Sequence, residues 1–167
     1  MNSEKLNNWL SLLANLAVIV GIIVLVIEIS QNTQAIRLSS YQDLTGRIVE
    51  INQFTMGNPA MNELNTKMGF NTPVCAREGN SSITLSEGEE SLLNNLLFIW
   101  FRHADMAYFQ YETGAISRER LMSAAAPLLN ILDIPYVIDR WNLVKTSFVL
   151  EYREFVDEQA AEFNKRC

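Results

Sequence analysis

The sequence predicts an all-α protein in which a single N-terminal transmembrane helix continues into an irregular helical bundle. Three observations point there. An uncharged apolar run extends from Leu10 to Ile27, later apolar residues recur at three- and four-residue steps between helix-capping residues, and no stretch shows the two-residue alternation of a strand.

The apolar run reads LSLLANLAVIVGIIVLVI. With its flanks it predicts a membrane span over residues 9–29, about 21 residues and roughly 30 Å of helix, which matches a bilayer core. Trp9 lies where an interfacial aromatic is favoured, and Ser11, Asn15 and Gly21 inside the span are compatible with close helix packing. Lys5 could serve as the charged start of a signal peptide. The run is longer than such a peptide needs, however, and Val26-Ile27-Glu28 offers no small-residue cleavage site, so an uncleaved anchor after a tail over 1–8 is expected. Lys5 and the amino terminus stand before the span, and Arg37 and Arg47 after it. A short tail is easily translocated, which places the domain over 30–167 in the cytoplasm.

Beyond the span, Ala35, Ile36, Leu38, Tyr41, Leu44, Ile48 and Ile51 continue the helix as an amphipathic stalk over about 30–55, ended by Gly57 and Asn58. Asn58 as N-cap with Pro59 after it opens a short helix through about Met68, and Gly69 to Thr84 reads as a loop. Ser86 and Glu89 have the spacing of a capping box for a central helix that runs to Gly114. Its apolar residues, from Leu92 to Tyr111, occupy most of its circumference, so it must be covered on several sides. Ser117 caps a further helix expected to reach Leu132, with a bend at Pro127. Asp133 and Pro135 break the chain before a helix over Tyr136 to Lys145. A last amphipathic helix to about Asn164 carries Phe148, Tyr152, Phe155, Val156 and Phe163 on its apolar face.

Once the anchor is set aside, roughly 135 residues remain, enough for one core and too few for two. Thirteen Lys and Arg against nineteen Asp and Glu give a net charge of −6, and no basic stretch carries interleaved aromatics. Nucleic acid is therefore not an expected partner, and the bilayer must be held by apolar insertion through residues 9–29. Cys75 and Cys167 match no metal or redox spacing and are expected to be free thiols.

Chemistry, if any, would start at His103, the one histidine. On a helix it faces Ile99, Trp100, Met106 and Ala107, so no local carboxylate or cysteine completes a metal pair. Asp105 and Glu112, seven residues apart, share a face and could line a cleft, although an ion pair of Asp105 with Arg102 is the plainer reading. His103, Asp105 and Glu112 are thus the candidate ligand-binding residues. The chain has no Glu three residues before a His, no phosphate-cradling glycine loop and no nucleophile elbow, so no catalytic residue, metal or cofactor is expected. Arg118 and Arg120 with Glu119 read as a solvated first turn, and Trp141 beside Arg140 as an anchor at the core edge.

The stretch NWLSLLANLAVIVGIIVLVIEISQNTQAIR, the Asn58-Pro59 helix start, the aromatic helix FIWFRHADMAYFQYETG and the late Trp141 and Phe155 resemble a group of small bacterial membrane proteins with one N-terminal transmembrane helix, a polar turn like Gln31-Asn32-Thr33, and a helical domain of no assigned activity. The resemblance implies a bacterial inner-membrane location. The expected function is a membrane-anchored interaction or scaffold module that binds a membrane protein partner or a second copy. A small-ligand sensor or enzyme with a site between bundle helices near His103 is the alternative. A lipid-perturbing effector would need a second membrane-active segment, and Leu92 to Phe101 is too short to provide one.

Overall fold

The computed structural model describes residues 3–73, 76–77 and 83–166. Six α-helices follow one another: α1 (Ser3–Met56), α2 (Pro59–Lys67), α3 (Glu87–Glu112), α4 (Arg118–Leu129), α5 (Pro135–Val144) and α6 (Leu150–Arg166), with a 3-10 turn at Lys145–Ser147 before α6. No strand occurs among the described residues. Cys75 and Cys167, and the side chain of Phe163, lie outside them.

The chain divides into two compact units, Met1–Ser39 and Ser40–Cys167. The first holds only the N-terminal part of α1, which continues into the second. Every residue from 6 to 39 is exposed, including the whole apolar run, so this helix is long and apolar enough to cross a membrane and buries none of that surface against the chain. Ala35, Ile36 and Leu38, expected to open the apolar face of the stalk, are exposed as well. The stalk face becomes buried only in the second unit, where Leu44 and Thr55 are fully enclosed and Tyr41, Ile48 and Ile51 partly so.

Within the second unit the local sequence signals act where expected. The Asn58 side chain accepts from the Ala60 N–H, and Pro59 takes the first helical position, where its missing N–H costs nothing. Ser86 and Glu89 form a reciprocal capping box. A hydrogen bond from Lys67, aided by those from Ser86, holds the Glu89 carboxyl down at about 2. Gly114, at φ +73°, closes α3 with its N–H on the Tyr111 carbonyl and the Ala115 N–H on that of Gln110, a geometry that a Cβ would strain.

One helix end differs from expectation. α4 stops at Leu129, and residues up to Ile134 follow as tight turns in which Ile131, Leu132 and Ile134 donate three residues back. Pro127 lies in the last turn; lacking an N–H, it offers nothing to the Ser123 carbonyl, and the helix ends within one turn. Leu132 is buried all the same. Phe148 likewise reaches the core from the turn before α6 rather than from the helix itself.

The core wraps α3. Leu93, Leu96, Leu97, Phe101, Ala104 and Ala107 are buried on it, covered by α4 through Leu121, Ala125 and Leu128, by α2 through Met61 and Leu64, by α5 through Val137 and Trp141, and by α6 through Tyr152 and Val156. Phe101 lies 5.0 Å from Trp141 between ring centroids, Trp141 meets Tyr152 edge-on at 5.8 Å, and Phe148 stands within 5.5 Å of Tyr152. The polar ends of these rings are paired. Trp141 Nε1 donates to Asp157 at 2.7 Å, and the Tyr152 hydroxyl donates to the Phe101 carbonyl at 2.9 Å. Burial pushes that hydroxyl well above its usual pKa, which keeps it a donor.

Trp141→Ala should therefore cost about 3–5 kcal/mol of unfolding free energy, and Tyr152→Phe, which loses one hydrogen bond and no volume, about 1 kcal/mol. Urea denaturation followed by far-ultraviolet circular dichroism measures both. A larger loss for Tyr152→Phe would contradict this account of the core.

Candidate functional site

Residues two positions apart on a helix are turned by about 200°, so His103 and Asp105 point to opposite sides of α3, while Asp105 and Glu112 return to one side. The structure accordingly separates the candidates. His103 is 5% exposed and faces α4, where Trp100, Ala104, Ala124, Ala125, Pro127 and Leu128 close around it and leave no room for a water molecule. Neither ring nitrogen has a partner in hydrogen-bond geometry. Burial lowers its pKa from 6.5, the Ala124 backbone pulls in the opposite direction, and the charge of Arg47 adds to the lowering, so the imidazole is held neutral.

Asp105 and Glu112 do come together, on an open groove of about 450 Å³ at the junction of α3 with the start of α6. Met106, Tyr108, Phe109 and Val149 supply its apolar lining, and Glu151 adds a third carboxylate. Phe109 is 67% exposed and Val149 59%, so two large apolar side chains stand in solvent beside three acids. Arg102 pairs with Asp105 at 3.4 Å while its guanidinium lies 4.2 Å from the Phe148 ring. Glu112 and Glu151 have no cationic partner among the described residues. Burial raises the pKa of Asp105 against the opposing pull of Arg102. Burial also raises that of Tyr108, and the charges of Glu112 and Glu151 add to it. The groove is thus apolar within and negative at its rim.

Sequence reasoning reached two of the carboxylates through their seven-residue spacing but not the rest of the lining. Phe109 lies off the face marked by Ala104, Ala107 and Tyr111, and an aromatic in that position was the available signal. Val149 and Glu151 join the groove only through tertiary packing. A second hollow, of about 290 Å³, lies by Arg77 and Asp133. There Arg77 donates to the carbonyls of Gly69 and Asn130 and pairs with Asp133, and so ties the loop to the α4–α5 turn. Trp141, placed at the core edge by sequence, is 1% exposed and central to the core. Arg120, from the expected solvated turn, stacks 4.1 Å from the Tyr41 ring.

Fold and groove together define an all-helical protein that has a long exposed apolar helix at its N-terminus and an acidic apolar groove on its second unit. No family model, curated protein or solved structure matches the chain.

The unfolded chain binds a proton at His103 more readily than the folded one, so stability is full above about pH 6.5 and falls as the pH drops through that value towards the lower folded pKa. Thermal unfolding in mild detergent from about pH 8 to about pH 5 should show this loss, and His103→Gln should flatten it. An unchanged pH profile in the variant would show that His103 is not its source.

Proposed function

We propose that the chain is a membrane-anchored helical interaction module. In this reading residues 9–29 cross a bacterial inner membrane once, the second unit faces the cytoplasm, and the groove by Phe109 receives a protein segment in which Lys or Arg flanks an apolar side chain. The observation that carries the anchor is the helix over 6–39, exposed on every face through eighteen consecutive uncharged residues, a surface that water does not tolerate and a bilayer does. The groove supports the choice of partner. Its exposed apolar lining favours burial, and Glu112 and Glu151, which have no salt-bridge partner among the described residues, favour a cationic segment over an acidic one. The bacterial location comes from the resemblance of the anchor region, and the orientation from the easily translocated tail.

The alternative of a site at His103 finds little support, because the ring faces no cavity and the two acids lie across the helix from it.

Fluorescence anisotropy of a labelled Leu- and Lys-rich helical peptide against the detergent-solubilised chain tests the groove. Binding should weaken as salt rises and fall roughly tenfold in Phe109→Ala and in Glu112→Lys. Equal binding by the parent and both variants would remove the groove from the function. A membrane-impermeant thiol reagent should label Cys75 and Cys167 only after cells are lysed; labelling of intact cells would reverse the orientation.

A further inference from the structure

The apolar helix carries two polar side chains that the chain leaves unpaired. Thr33 satisfies its own hydroxyl by donating to the Ile29 carbonyl at 2.8 Å. Ser11 and Asn15, both exposed, have no such bond. Asn15 lies six residues beyond Trp9, about 9 Å along the axis. In a hydrocarbon core about 30 Å thick its short side chain does not reach the interface. A carboxamide has two donors and an acceptor, and leaving them unpaired in lipid is costly, whereas pairing them across two helices stabilises association.

Asn15 also belongs to a seven-residue repeat. If it is assigned the first core position of a heptad, that position recurs at Ile22, Ile29 and Ile36, and the fourth position falls on Ser11, Val18, Leu25 and Asn32. Ile22, Ile29 and Ile36 at the first position with Leu25 at one fourth position follow the pattern that favours parallel pairs, and a single asparagine at a first position sets register and strand number. The positions beside the seam include Ala14 and Gly21, which let two backbones approach. A Cβ at Gly21 would meet nothing within 4 Å, so the chain's own packing does not require glycine there. The opposite side, with Leu13, Leu16, Val20 and Ile23, is apolar throughout and suited to lipid. The first position stays apolar to Ile36, but the fourth turns polar at Asn32 and Ser39, so the apolar seam ends at about Ile29.

On these grounds we infer that the apolar helix pairs in parallel with the same helix of a second copy along Ser11, Asn15, Val18, Ile22, Leu25 and Ile29. The two Asn15 carboxamides hydrogen-bond to each other across the pair. A carboxamide is its own complement, as a two-fold contact between identical chains requires. The inference rests on the membrane reading above and adds the occupant and the face.

The test uses the full chain in membranes, with Cys75→Ser and Cys167→Ser and one new cysteine at a time under mild oxidation. Val18→Cys, Ile22→Cys and Leu25→Cys should crosslink several-fold more than Val20→Cys and Ile23→Cys, since identical positions meet only in a parallel pair. In the Val18→Cys background Asn15→Leu should weaken pairing roughly tenfold, and Asn15→Gln should retain it. Uniform crosslinking around the helix, or Asn15→Leu pairing as well as the parent, would overturn the seam while leaving the anchor intact. Release of the parent chain from membranes by alkaline carbonate would instead overturn the anchor, and the intramembrane seam with it.

Discussion

The second unit depends on a single constraint: α3 is apolar around most of its circumference and cannot be stable unless covered on several sides. α2, α4, α5, α6 and the later part of α1 each contribute a strip of side chains to that cover. The cover is densest at Phe101, where Trp141, Phe148 and Tyr152 meet. The hydroxyl of Tyr152 reaches the Phe101 backbone, so α6 is fixed to α3 by a directional bond as well as by area. Directional bonds of this kind select one packing among many that would bury similar apolar surface.

Much of this arrangement was legible because helix boundaries are set by chemistry within four residues. Asn58, Ser86 and Ser117 each accept an N–H of the first turn. Gly114 takes the left-handed conformation that ends α3. α4 ends three residues before Leu132, which continues the apolar spacing, because spacing reports burial rather than helicity. The stalk face was legible from Tyr41 onwards. Ala35, Ile36 and Leu38 continue the same period, but nothing in their unit covers them, and period alone cannot say where cover begins.

The site was legible only in part, for the same reason. Spacing along one helix placed Asp105 beside Glu112 and, by the same rule, should have separated both from His103. Val149 and Glu151 are some forty residues further along and enter through the docking of α6, which no local pattern encodes. Trp141 likewise lies deeper than its neighbour Arg140 suggests, since an aromatic beside an arginine looks like an edge residue until the helix is rotated onto its neighbours. Arg77, unremarked in the sequence, joins two stretches more than fifty residues apart.

The burial of Leu44 and Thr55, with Tyr41 stacked under Arg120, bears on how this chain can be cut and recombined. By sequence the stalk is an amphipathic face that opens at Ala35, and it is from about Tyr41 onward that this face is buried. A fragment begun at Asn58, where the next helix is capped, would lose the buried Leu44 from the core and the Tyr41 ring from under Arg120. A fragment begun at about Ser40 would keep the core whole.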